Sequence, residues 1–246
     1  MKEILVKAQT LPEAYHKALV ALQKEGEVSD CADWNTTQKE LSMTIFVEKP
    51  LSEPRISKCF IGGPEELEQY RQEMLDGILD FEVARGNWVY TYHQRYEKQI
   101  PFVIDDLKRN PSSRRAVMLV RDNSVDMGSD DPSCLQHIQY FVRNGKLDCD
   151  ILFRSNDACK ATFMNAFALI CLQERIAKEL GIEVGTYTHR ANSFHCYEKD
   201  FGLLEGYCKR IEAEDEVTYD YEDGWDEMME AAKPDIAKRV EELKNR

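Results

Sequence analysis

Residues 131–157 read DPSCLQHIQYFVRNGKLDCDILFRSND. Two β-prone runs, His137 to Arg143 and Lys146 to Arg154, flank Asn144-Gly145. Asn-Gly is the favoured pair for a two-residue turn that needs positive φ, so the spacing predicts a β-hairpin. Leu147, Cys149, Ile151 and Phe153 alternate with Asp148 and Asp150, so one face of the second strand is buried. Asn156 or Asp157 is then expected to cap a helix that runs to about Leu180, with Gly181 at its C-cap. Its run Phe163-Met164-Asn165-Ala166-Phe167-Ala168-Leu169-Ile170 is apolar nearly all round, which makes the helix central rather than peripheral.

Outward from this centre, Lys2 to Lys7 reads as a strand, and Pro12 opens a helix with Ala14, Tyr15, Ala18, Leu19 and Leu22 on one face. Leu41 to Val47 is an alternating strand. Gly62-Gly63-Pro64 precedes an acidic helix that includes Leu67, Tyr70, Met74 and Leu75. The aromatic stretch Trp88 to Tyr96 reads as strand or loop, and Ile100 to Arg109 as a short helix ended by Asn110-Pro111. Strands are expected at Ala116 to Val120 and at Val184 to Tyr197. The tail, from about residue 212, is acidic through Glu227, and Asp235 to Lys244 reads as a solvated amphipathic helix. With no internal repeat and no Pro/Ser-rich linker, one α+β domain over residues 1–246 is the simplest account.

The chain has 246 residues, of which 43% are hydrophobic and 31% charged, enough to fill a core and too apolar for disorder. Its net charge of −13 disfavours non-specific binding to nucleic acid or to an anionic membrane. Any anion site must therefore be local and built from a few arginines. No apolar run approaches the ~18 residues of a membrane helix. Met1 to Leu11 lacks a signal-peptide core, so a cytoplasmic chain is expected. The eight cysteines form no CxxC pair, and several sit in apolar segments, so they read as buried reduced thiols and not as a metal site.

Cys134 stands apart from the others. It follows the polar turn Asp130-Asp131-Pro132-Ser133 and directly precedes a strand, where a thiol can be exposed and have its pKa lowered by nearby cations. Arg114-Arg115 and Arg154-Ser155 are candidate phosphate contacts, since guanidinium forks match phosphate oxygens; the bland alternative is a solvated surface pair. His195 and Tyr197 share one strand face with Ser193, a patch suited either to sugar hydroxyls or to simple packing. Asn165 lies within the apolar helix, where an unmet amide costs about 1–3 kcal/mol, so it bonds either a ligand or a neighbouring backbone group. Glu73 is either solvated or a carboxylate turned inward for acid–base work.

Taken in order, these segments resemble thymidylate synthase. Asp131-Pro132-Ser133-Cys134, Gln139-Tyr140-Phe141-Val142, Gly145-Lys146-Leu147 and Arg154-Ser155-Asn156-Asp157 follow that family's catalytic loop, hairpin and Arg-Ser-x-Asp motif. Ser193-Phe194-His195-Cys196-Tyr197 is similar to its sugar-holding segment, and Pro111-Ser112-Ser113-Arg114-Arg115 to its paired-arginine motif. The likeness covers about residues 111–200. It implies a mixed sheet packed by helices on one face and by a dimer mate's sheet on the other, with a site completed across the interface. It implies that Cys134 attacks C6 of a pyrimidine nucleoside monophosphate. Arg154, Ser155 and, in trans, Arg114 and Arg115 would hold the 5′-phosphate. His195 and Tyr197 would hold the sugar, and Asn165 would read the base. Asp157 would contact the folate co-substrate, 5,10-methylenetetrahydrofolate. Glu73 falls to the catalytic glutamate, Tyr90 to the conserved tyrosine and Trp88 to a folate-side tryptophan.

The reaction so implied is one-carbon transfer to C5, with dUMP methylation first. Hydroxymethylation of dUMP, dCMP or CMP is the alternative, and a silent nucleotide- or RNA-binding homologue the third. Departures from the family pattern bear on this choice. Leu135 follows the cysteine where the family has histidine, as related hydroxymethylases also depart there. Ala161-Thr162-Phe163 replaces Gly-x-Pro, and the quoted chain ends Lys244-Asn245-Arg246 where the family has an apolar residue. Asn165 favours uracil, since dCMP hydroxymethylases carry aspartate at that position.

Overall fold

In the computed structural model, which describes residues 1–245, Asn144 and Gly145 both adopt positive φ, 52° and 75°, and turn the hairpin as their sequence requires. The strands are β1 Glu3–Ala8, β2 Glu27–Cys31, β3 Thr36–Val47, β4 Ile56–Ser57, β5 Val117–Leu119, β6 Leu135–Arg143, β7 Lys146–Asp157, β8 Glu183–Tyr197 and β9 Thr218–Tyr219. The helices are α1 Leu11–Glu25, α2 Pro64–Asp76, α3 Phe81–Ala84, α4 Tyr92–Tyr96, α5 Ile100–Arg109, α6 Asn123–Asp126, α7 Thr162–Leu180, α8 Phe201–Glu212 and α9 Asp226–Lys244.

The main sheet runs β1-β3-β8-β7-β6-β5, with β2 pairing the first half of β3. β1 pairs with β3 and β7 with β8 in parallel, and the remaining pairs are antiparallel, so the sheet is mixed. Helices α1, α5 and α7 pack on one face. The opposite face presents alternate residues such as Leu5, Phe46, Arg190, Leu152 and Leu119, of which Leu5 and Leu119 are 56% and 60% exposed.

The helix α7 is internal, as its composition demands: Phe163, Ala166, Phe167, Leu169, Ile170 and Leu172 are all buried. Three local readings are corrected. Neither Asn156 nor Asp157 caps α7, because β7 continues through Asp157 and the helix starts only at Thr162. The Asp157 carboxylate instead accepts from the backbone N–H groups of Cys159 and Lys160 and caps the intervening turn. The second half of the aromatic stretch 88–96 is the helix α4, started by the Thr91 hydroxyl accepting from Gln94 N–H. The last helix begins at Asp226, nine residues earlier than its periodicity suggested, because α9 packs against α2 and buries Met229 in its first turn.

Register shifts put the sheet to use. Between Leu41/Met43 and Phe194/Ala191, β8 carries one extra residue, which re-aims the side chains beyond it. Phe194 and Cys196 therefore stay in the core, while His195 and Tyr197 line a cavity. A second shift lies just after Cys134, between Leu135 and His137. At the end of α2, Gly77 has φ 63°, and any side chain there would collide with His93 and Asp80. That glycine allows the loop carrying Tyr90 and Tyr92 to close against α2.

Two histidines in the core predict how the fold responds to acid. Burial pushes His16 down from 6.5 to about 4 and His189 down to about 3. Unfolded, both titrate near 6.5. As pH falls below that value, the unfolded chain takes up protons that the folded chain excludes, so stability is lost between pH 6.5 and about 4. Each unit of depression is worth about 1.4 kcal/mol. The urea midpoint is expected to fall steadily from pH 7 to 4.5, and a flat midpoint over that window would count against this account.

Candidate active site

The end of the hairpin opposite its turn opens onto a cavity of about 370 Å³. Its lining includes Cys134, Arg154, Ser155, Asp157, Asn165, His195 and Tyr197, residues that come from β6's approach, β7, α7 and β8. The backbone N–H of Arg154 donates to Cys134 O at 2.8 Å, which extends the β6–β7 pairing one step past the bulge and sets the two side chains beside each other. Arg154 Nε donates to Ser133 O at 3.1 Å and Nη2 to Pro132 O at 2.7 Å. The guanidinium thus braces the loop that presents the thiol. Among the described residues it meets only carbonyl oxygens, so no carboxylate there neutralises its charge.

The protonation of Cys134 differs from the sequence expectation. Burial raises the thiol's pKa, and this outweighs the lowering by Arg154, while Asp131 raises it further. The thiol is half-buried rather than exposed, so one cation does not offset its desolvation. Burial thus holds Cys134 toward the neutral thiol.

The remaining groups are held by one another. His195 is 4% exposed and its Nδ1 lies 3.3 Å from Ser155 Oγ. Burial lowers its pKa against the pull of Asp157, so the imidazole is held toward the neutral form. Tyr197 packs edge-on to it at 4.8 Å, and burial pushes the phenol up to about 12. Asn165 is 3% exposed, and its Oδ1 accepts a hydrogen bond from the Tyr70 hydroxyl of α2.

A second cavity of about 400 Å³ adjoins the first and shares Tyr70, Tyr92 and Asp131 with it. Glu73, Trp88 and Tyr90 line this one and not the thiol cavity. Glu73 accepts from Gln69 Nε2 at 2.9 Å, and burial raises its pKa. Tyr90 and Tyr92 are 5.6 Å apart, and burial pushes the Tyr90 phenol up to about 12. Arg114 and Arg115 line neither cavity. Both are exposed ahead of β5, with Arg115 3.7 Å from Asp106.

Sequence reading missed Tyr70 and Tyr92, two of the three side chains that join the cavities. Tyr70 lies three residues before Glu73 on the same helix, so its proximity to any inward-facing Glu73 was the available signal.

The thymidylate synthase family model matches residues 66–233. A chain of Methanocaldococcus jannaschii, provisionally designated a thymidylate synthase, is 32% identical over 216 residues, covering 83% of this chain and 96% of that one. A thymidylate synthase of Bacillus mojavensis is 30% identical over 177 residues, covering 70% of this chain and 60% of that one. The solved structure of thermostable thymidylate synthase A from Bacillus subtilis shares the fold, with a TM-score of 0.66 at 18% identity over 81% of this chain and 84% of that one. These matches define an enzyme of the methyltransferase type. The chain belongs to the thymidylate synthase family, whose co-substrate is 5,10-methylenetetrahydrofolate.

Proposed function

We propose that the chain converts dUMP to dTMP, with Cys134 as nucleophile. The supporting observation is the convergence of Cys134, Arg154, Ser155, Asn165, His195 and Tyr197 on one cavity. Arg154 and Ser155 take the 5′-phosphate, and His195 and Tyr197 the sugar hydroxyl. The Cys134 thiolate adds to C6 of the ring, which makes C5 nucleophilic. Folate supplies the one-carbon unit and the reducing hydride of methyl formation. The adjoining cavity suits its flat pterin: Trp88, Tyr90 and Tyr92 offer aromatic faces and Glu73 moves protons there, while Asp157 reaches the ligand from the thiol cavity.

Asn165 supports uracil as the base. With its Oδ1 engaged by Tyr70, the amide N–H₂ is left to donate, and O4 of uracil is the acceptor it meets. Tyr70→Phe should lower kcat/KM for dUMP by about ten-fold, the value of one buried hydrogen bond, and weaken discrimination against dCMP. Unaltered values would remove Tyr70 from the reading.

The site is completed by a homodimer that pairs the open sheet faces, burying Leu5 and Leu119 and carrying Arg114 and Arg115 to the partner's phosphate. We take residues 1–246 as one domain, whose main apolar cluster runs from Ala8 to Met229. No helix among the described residues is long and apolar enough to cross a membrane, and the eight free cysteines suit a reducing, cytoplasmic setting. The test is to incubate the protein with methylenetetrahydrofolate and each of dUMP, dCMP and CMP and to weigh the products. A methyl gain on dUMP with dihydrofolate formed is expected. A hydroxymethyl gain with tetrahydrofolate retained would reject the synthase reading in favour of a hydroxymethylase.

A further inference from the structure

A third cavity, of about 420 Å³, opens among α2, α7 and α9 and takes no part in the reaction proposed above. Five basic side chains line it, Arg55, Arg71, Arg175, Lys178 and Lys233, against four carboxylates. Three of the five are engaged. Arg71 grips Glu68 through two hydrogen bonds of 2.7 Å, Arg175 holds Asp76 at 2.7 Å, and Lys233 pairs with Glu230.

Arg55 is different. It is only 9% exposed, yet no carboxylate pairs with it and none of its side-chain N–H groups meets an acceptor among the described residues. Its Nε is sealed from water without a partner, so the two terminal nitrogens are the end that opens to the cavity. The nearest acid in sequence, Glu53, is committed elsewhere. It accepts from the backbone N–H groups of Arg55 and Tyr221, each at 2.8 Å. The guanidinium carbon lies 4.6 Å from the Tyr221 ring and 5.9 Å from that of Phe167. Aromatic faces return part of the cost of burying a cation, but they do not satisfy its donors. Lys178, also in the lining, has no ion-pair partner among the described residues.

We infer that this cavity binds the phosphate group of a small metabolite. The open fork of Arg55 takes two oxygens and Lys178 a third, these being the two cations of the lining without an ion-pair partner among the described residues. Glu174 and Asp226, which have no basic partner among the described residues, also line the cavity and repel a larger polyanion. A single phosphate group is therefore preferred over a polycarboxylate such as citrate.

The test is calorimetric titration of the full chain with inorganic phosphate, repeated on Arg55→Met and Lys178→Ser. Phosphate binding at the thiol cavity contributes equally to all three proteins, so their difference isolates this site. Arg55→Met is expected to weaken one class of phosphate binding at least about ten-fold, as losing a charged bidentate contact should. Lys178→Ser changes an exposed residue, so folding is not in question, and a loss of about three-fold or more is expected. In phosphate-free buffer Arg55→Met should melt above the wild type, because it removes an uncompensated buried charge. Added phosphate should then close the gap. Identical isotherms for all three proteins, citrate binding tighter than phosphate, or an Arg55→Met protein less stable than wild type without phosphate would each overturn the assignment.

Discussion

Cys134→Ser is expected to abolish turnover, by about 10⁴-fold or more, while the protein still binds dUMP. The hydroxyl that replaces the thiol ionises far less readily and is a poor nucleophile toward C6. The groups proposed to hold the nucleotide, Arg154, Ser155, His195 and Tyr197, do not depend on the sulfur for their geometry. Arg154 is anchored by the carbonyls of Pro132 and Ser133, and His195 by its neighbours on β7 and β8. Equilibrium binding and kcat should therefore separate cleanly. The raised thiol pKa adds a signature in the wild type. Since only the thiolate attacks, log kcat/KM should climb with pH at about one unit per unit until the thiol itself titrates. Turnover by the serine variant within ten-fold of wild type would remove Cys134 from the mechanism.

Asn165→Asp should reverse the choice of base. Asn165 is 3% exposed, so an aspartate there would be protonated or would bear a large desolvation penalty. A carboxyl group accepts from the 4-amino group of cytosine and, when protonated, donates to N3. Against uracil the ionised form places a lone pair opposite O4. The kcat/KM for dUMP is expected to fall on the order of 10²-fold and that for dCMP to rise, because a site built for one polar edge leaves unmet groups when offered the other. An unchanged dUMP/dCMP ratio would sink the role given to Asn165 and, with it, the case for uracil.

Much of the fold was legible where the signal is local. The Asn144-Gly145 turn, the alternation along β7 and the apolar run of α7 each follow from a few neighbouring residues. The start of α7 was misplaced because Asn156 and Asp157 are good cap formers in isolation, and nothing local says that β7 extends to them through pairing with β8. In the candidate site, the motif residues on β7 and β8 were readable as candidates, and they line one cavity. Tyr70 was not, since helical spacing identifies a face of α2 but not the cavity that the face meets. The state of Cys134 also escaped: proximity of an arginine is suggested by the motif, but desolvation is a property of the folded surroundings. Arg114 and Arg115 show the limit of one chain: Arg115 reaches Asp106 at 3.7 Å, but both guanidinium groups stay exposed and line neither cavity.

The brace that Arg154 makes to the carbonyls of Pro132 and Ser133 bears on how such a scaffold can be repurposed. One side chain both shapes the loop of the proposed nucleophile and carries the charge facing the cavity, so replacing it would disturb architecture and recognition together. An engineer seeking a new substrate should leave that arginine alone and work from the α2 side, where Tyr70 touches Asn165, the proposed base reader, through a single hydroxyl.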